Sequence, residues 1–316
     1  MSSSIVTEGS LIYGVQLPIQ TLTASKAEAW EASASVADLV SLARLAEASG
    51  FGFVGVCDHV AVPDNDYARH LTPTWYDPIA TMGFLAAHTS TIRLITTVYI
   101  AAYRHPLVAA KSFLTLDHLS GGRVVVGVGA GHIRAEFEAL GIDFATRGER
   151  TNECIDALRA AFTDTYSKFS GTFFAYDEIG LAPRPAQEHI PIWVGGSSKP
   201  ALRRVAERGD GWIPQGTPRA QMPACLDYIR THRDNVWPDA TLDLGWMPEW
   251  LYVGTPIWDV GPGRLTGPPD QIAESLREIY ELGCNVLYVH FRSRDRAEYA
   301  DQLAAFGRDV APLLVR

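Results

Sequence analysis

"RVVVGVGAGHIRAEFEALGIDFATRGER", residues 123–150, passes from an unbroken apolar run, through glycines at every second position, into a charged stretch with helical spacing. A continuous β-branched run of this kind reads as a strand buried on both faces, the habit of parallel sheets covered by helices. Gly127, Gly129 and Gly131 fall on one side of that strand, because strand side chains alternate. Glycine there removes bulk and admits a flat ligand or a neighbouring backbone. Tight packing inside a barrel accounts for the run equally well. The spacing is GxGxG, so it is not the dinucleotide fingerprint GxGxxG.

The same handover from strand to helix repeats on both sides of this stretch. Upstream, "LIYGVQLP" and "FVGVCDH" read as strands, each followed by a helical pattern. "SVADLVSLARLAEASG" stops at Gly50, and "WYDPIATMGFLAAHT" offers Asp77 as N-cap and Pro78 as first helical residue. "IRLITTVYI" is a third strand, and Pro106 opens the helix that Gly121 closes. Downstream, "TNECIDALRAAFTDTY" is the fourth helix. The rhythm then breaks at "SKFSGTFFAYDEIGLAPRPAQEH", an excursion read as a small hairpin. It resumes with "IPIWVGG", "DGWIP", a strand region in "TLDLGWMPEWLYVG", a long loop "TPIWDVGPGRLTGPP", and "NVLYVHF" before the last helix. About eight strand–helix units favour a (β/α)8 TIM barrel with an insertion after the fourth helix, spanning residues 1–316 as one domain. In such a barrel, function sits at the C-terminal ends of the strands.

Composition narrows the function. The chain has 316 residues and a formal net charge of −9, which argues against nucleic acid and anionic membrane surfaces as partners. Cys57, Cys154, Cys225 and Cys284 are scattered, without a CxxC pair, as expected of reduced thiols. The first ten residues, "MSSSIVTEGS", lack the features of a signal peptide. No apolar run is long enough to span a bilayer. A cytoplasmic protein acting on a small molecule is expected.

Four places carry candidate chemistry. "GGSSKPALRR" leaves a strand through Gly195 and Gly196, and Ser197 and Ser198 meet a helix start. Backbone N–H groups, hydroxyls and the helix dipole favour a phosphate there, although a plain serine-capped turn has the same sequence. "CDHV" ends the second strand with Asp58 and His59, a pair suited to proton transfer or to capping and packing. Arg104, in "RHP", is placed to reach a phosphate or to sit in solvent. His132 and Glu136 have metal-pair spacing, but no further ligand lies at a telling distance, so no metal is expected. Trp75, Tyr76, Trp246, Trp250 and Trp258 suggest an aromatic cavity or ordinary packing.

The long blocks "TSTIRLITTVYIAAYRHPLVAAKSFLTLDHLSGGRVVVGVGAGHIRAEFEALGIDFATRGER" and "IPIWVGGSSKPALRRVAERGDGWIP" resemble the bacterial luciferase-like superfamily, and the resemblance runs over nearly the whole chain. It implies a (β/α)8 barrel using FMN or the deazaflavin coenzyme F420, commonly as a homodimer. Asp–His at the second strand end resembles the F420-dependent oxidoreductase branch, where many FMN monooxygenases carry Glu–His–His. By that resemblance Asp58 touches the deazaflavin head and His59 faces the reacting carbon. A non-prolyl cis peptide is implied at Thr97–Val98, against the ring, and Gly195 and Gly196 match the phosphate-binding pair. Gly129 and Gly131 then clear room beside the cofactor, and His132 looks into that space. Sugar and alcohol dehydrogenases of this branch carry Glu where this chain has His132, which weighs against that chemistry here. The readings kept are an F420-dependent oxidoreductase, an FMN-dependent monooxygenase, and a non-catalytic flavin-binding protein. The apolar stretch Asp77 to His88 is expected to form the dimer interface.

Overall fold

Alternation along the strands decides which side chains fill the centre. In the computed structural model, which describes residues 4–236 and 241–314, eight parallel strands close on themselves. They are β1 (Ile12–Gln16), β2 (Phe53–Val56), β3 (Arg93–Thr96, resumed as Tyr99–Ile100), β4 (Val124–Gly129), β5 (Ile192–Gly195), β6 (Gly211–Ile213), β7 (Asp243–Trp246) and β8 (Val286–Val289). Each pairs with its successor, and β8 returns to β1 through Ile12–Val286 and Val15–Val289. Phe53, Ile95, Val125, Trp193, Ile213 and Tyr288, drawn from six strands, touch one another and fill the barrel. Their neighbours in sequence, such as Val54, Leu94 and Val126, pack outward under the helices.

The local signals place the helices. α1 (Val36–Ala48) begins at Ser35, whose hydroxyl accepts from the Asp38 amide, and Gly50 turns the chain out at φ 80°. α2 (Pro78–Ala86) is capped by Asp77, and α3 (Pro106–Ser120) ends at Gly121 in the left-handed region. A short α4 (Arg134–Ala139) follows β4, before α5 (Arg147–Thr163). α6 (Lys199–Arg208), α7 (Met222–Val236), α8 (Pro269–Glu281) and α9 (Arg296–Ala305) complete the shell.

The excursion after α5 is the expected hairpin: Tyr166–Ser170 pairs antiparallel with Ala175–Gly180. The region after β7 differs from the reading of one strand and a plain loop. Pro248, which has no N–H to donate, separates β7 from a short strand Leu251–Val253. That strand pairs with Leu265–Gly267, inside the supposed loop. No helix among the described residues is long and apolar enough to cross a membrane.

Candidate active site

The C-terminal ends of β2 to β5 border a cleft of about 640 Å3. At its centre β3 bulges. The Thr97–Val98 peptide is cis, at the step the resemblance implied. Gln215, just beyond β6, donates to the Thr97 carbonyl at 2.8 Å, and the Thr97 hydroxyl meets the Tyr288 hydroxyl at 2.8 Å. The bulge is thus pinned from two other strands.

Val98 explains two glycines. A Cβ on Gly129 would lie 2.4 Å from Val98 Cγ2, and one on Gly195 would lie 2.7 Å from Val98 Cγ1. Both distances are impossible for real side chains, so β4 and β5 are glycine where the β3 bulge protrudes between them. Gly127 is forced by backbone: its Cβ would meet the Thr96 carbonyl oxygen at 1.9 Å. Packing against the β3 bulge, one of the two readings of the run, is thus enough to require glycine at 127 and 129, while Gly129 and Gly131 also border the cleft.

His59 and His132 stand on the β2 and β4 sides of the cleft, with ring centroids 5.7 Å apart. The Trp75 ring meets the His59 imidazole edge-on at 4.5 Å. His59 Nδ1 lies 2.9 Å from Glu136 Oε2, and the Glu136 side chain is wholly buried. The same carboxylate accepts the Tyr103 hydroxyl at 2.6 Å and the amides of Val60 and Ala61 at 2.6 and 3.1 Å. Burial alone would raise the Glu136 pKa, but the bonds from His59, Tyr103 and Ala61 more than offset it and hold it below the usual range. A carboxylate facing Nδ1 favours the proton on that nitrogen and leaves Nε2 toward the cleft. His132 keeps an exposed edge, and the protein packed around it, then the neighbouring His59, lower its pKa.

Glu136 and Tyr103 were missed as site residues. The sequence showed Glu136 only as a partner for His132. In the structure Glu136 lies in the first turn of α4, and it turns to the β2 loop instead.

Arg104 is placed differently from the expectation. Its two terminal nitrogens close on both Asp58 carboxylate oxygens, one of them at 2.9 Å, and the guanidinium lies 4.4 Å from the Tyr99 ring centre. Asp58 also accepts the Ile100 amide at 2.8 Å. Arg104 is thus committed behind the cleft and not free for a phosphate, while Asp58 reaches the cleft already neutralised.

At the β5 end, Gly195, Gly196 and Ser197 lead into α6. Gly196 sits at φ 95°, where a side chain is strained. The Ser197 hydroxyl bonds to that of Thr217, and Ser198 caps the helix without a side-chain bond to it. Arg204, one turn into α6, is buried and bonded, among the described residues, to the neutral acceptors Asn152 Oδ1 at 2.7 Å and the Gly148 carbonyl at 3.0 Å, with Glu207 acting on it electrostatically. Burial lowers its pKa to about 10. Arg147 likewise donates to the Phe144 carbonyl and lies over its ring. A glycine turn, a helix N-terminus and two cations bonded, among the described residues, to neutral acceptors suit a phosphate. Periodicity alone had no means of picking out Arg204, which reads as an ordinary helix cation.

Of the five aromatics named from sequence, Trp75 borders the cleft. Trp246 is buried in the outer core, Tyr76 packs against that core, and Trp250 and Trp258 sit with Arg292.

A sequence model of the luciferase-like monooxygenase family matches residues 13–242. An uncharacterized protein of Mycobacterium tuberculosis (strain ATCC 25618 / H37Rv) is 36% identical over 278 residues, covering 83% of this chain and 91% of that protein. Among solved structures, an F420-dependent secondary alcohol dehydrogenase in complex with an F420–acetone adduct superposes with a TM-score of 0.77 at 17% identity, covering 96% and 99% of the two chains. The oxygenating constituent of the Pseudomonas putida 3,6-diketocamphane monooxygenase, in complex with FMN, gives 0.77 at 15% identity, with 96% and 99% covered. At such identities these two matches show a common barrel.

Proposed function

The chain belongs to the luciferase-like monooxygenase family, and from that membership we propose an oxidoreductase that uses coenzyme F420 and acts on a small organic substrate. One arrangement carries the reading. A buried carboxylate orients His59 at the β2 end of a cleft whose β5 end is a phosphate cradle. The residues fit a phosphate-bearing flavin: Gly195, Gly196 and Ser197 with Arg204 for the phosphate, and Thr97, Val98, Gly129 and Gly131 for the ring. Asp58, backed by Arg104, would face the head group. By the resemblance, Asp58–His59 in place of the Glu–His–His of many FMN monooxygenases favours F420 over FMN.

The deazaflavin, when bound, supplies a ring carbon that exchanges a hydride with the substrate. The protein's part is position and the proton. Glu136 holds the His59 proton on Nδ1, so Nε2 takes up or returns the proton that accompanies the hydride. Trp75 covers one edge of His59 and limits water there. His132, neutral near pH 7 by its lowered pKa, is suited to hydrogen bonding and not to carrying charge.

Titrating the protein with F420 and with FMN, followed by fluorescence, tests the reading. Tighter binding of F420 supports it. Tighter binding of FMN, with oxygen consumed by the reduced enzyme, would assign the monooxygenase alternative. We also read the protein as a homodimer. α2 covers the barrel with Met82 and Leu85, yet leaves Phe84 43% exposed, and α3, which packs on α2, exposes Val108 and Leu119 at 62% and 72%.

A further inference from the structure

The cleft is cationic in an acidic chain. Lys26, Arg147 and Arg204 border it, and the only carboxylate among its described lining residues, Asp58, is closed on Arg104. Arg147 and Arg204 stand at the β5 end, where the coenzyme phosphate is assigned. Lys26 does not. Its Nζ lies 3.8 Å from Cys57 Sγ, just beyond β2, across the β3 bulge and β4 from the phosphate cradle.

Lys26 is half-buried, and among the described residues no carboxylate pairs with it. Glu28, two residues on, pairs with Arg292 at 2.6 Å and accepts the Ser293 amide. Glu136, a buried acid behind His59, is filled by His59, Tyr103 and two amides. Beside Ser25, Cys57, Thr97 and the Arg104-paired Asp58, the imidazoles of His59, His70 and His132 border this end, and charge on Lys26, His59 and His70 is felt at His132. The walls beside them are Trp75 and Leu71. A partly desolvated ammonium among imidazoles is a poor place for a neutral or cationic ligand and a good one for an anion.

We infer that the substrate is a small organic anion, a carboxylate on an aromatic or apolar body, with its charge on Lys26 and its body against Trp75 and Leu71. The inference rests on the coenzyme occupying the β5 end. A carboxylate in the coenzyme's own tail has the same chemistry, so the test must separate the two sources.

Benzoate and benzamide match in size and differ in charge. Calorimetric titration of the F420-loaded protein should show benzoate binding at least about tenfold more tightly. Lys26→Met should bring benzoate to the benzamide level and leave F420 affinity within about twofold, whereas Lys26→Arg should keep the preference. Equal binding of the two probes in the parent would overturn the inference, as would a preference that survives Lys26→Met. A loss of F420 affinity of about tenfold in Lys26→Met would assign the cation to the coenzyme instead. If F420 does not bind at all, the same titrations run on the protein alone. A benzoate preference that vanishes in Lys26→Met then keeps the anion site, while the coenzyme assignment falls.

Discussion

The two ends of the barrel set their charged groups in different surroundings. At the N-terminal floor, the Asp243 carboxylate accepts the Ser4 hydroxyl at 2.5 Å, the Ile5 amide at 2.9 Å and the Trp193 indole at 3.2 Å. Asp210 accepts the Ile192 amide at 2.8 Å and meets Arg159 and His189, each at 2.9 Å. Each acid there is closed by its own fold. At the C-terminal mouth, the bonded partners of Lys26, Arg147 and Arg204 among the described residues are sulfur, carbonyl, amide or aromatic groups. The floor also holds Arg123, buried on the Thr89 hydroxyl and the Ser120, Ile92 and Ala86 carbonyls, so cations on neutral acceptors occur at both ends, and those at the mouth differ in bordering the cleft. A mouth left short of anions is prepared for a ligand that brings them.

The largest expected effect lies at the mouth. His59→Ala should keep the fold and F420 affinity while lowering turnover about 10²–10⁴-fold, the range for losing a general acid or base. Single-turnover deazaflavin absorbance with a substrate found by screening measures it. Parent-like turnover in His59→Ala, with an inactive His132→Ala, would move the proton role to His132.

Next comes the phosphate cradle. Arg204→Met should weaken F420 binding by about 1.5–3 kcal/mol, the value of a charge-assisted hydrogen bond, with little change in the urea midpoint. The same titration on Gly196→Val should also show weaker binding, because a β-branched residue is strained at that φ. Undiminished binding in both variants would place the phosphate elsewhere.

The floor should show the reverse pattern. Asp210→Asn should leave F420 affinity intact and cost about 1–3 kcal/mol of stability at pH 7. Burial pushes the Asp210 pKa up, but His189, Arg159 and the Ile192 amide overcome it and leave the pKa below the ordinary 3.8. A depressed folded pKa gives stability that is present above the unfolded value and lost as pH falls through the folded one. The gap between Asp210→Asn and the parent should therefore narrow below about pH 4. Urea unfolding at pH 7 and at pH 3 checks this, and a gap that widens in acid would contradict the assignment.

The smallest effect concerns neither end. Phe84→Glu on α2 should shift a dimer toward monomer in analytical ultracentrifugation while leaving the F420 titration unchanged. A parent that sediments as a monomer at micromolar concentration would remove the homodimer reading.

The chain's own pattern was enough for the barrel. Continuous apolar strands, capped helices and the hairpin after α5 are local signals, and Asp77, Pro106 and Gly121 do in the structure what their positions suggest. Asp58, His59, His132 and the Gly195–Ser197 turn were legible because strand ends are where a barrel presents its groups, and the cleft borders all of them. The family likeness supplied the cis step at Thr97–Val98, which no propensity would mark. What tertiary structure alone decided is who partners whom. Arg104 is 46 residues from Asp58 and Glu136 is 77 from His59, distances over which sequence spacing carries no angular information. Gly129 and Gly195 look like ligand-binding glycines until Val98 is seen between them. Closure of the ring brings β3, β4 and β5 side by side, and only then do these residues compete for the same space and charge.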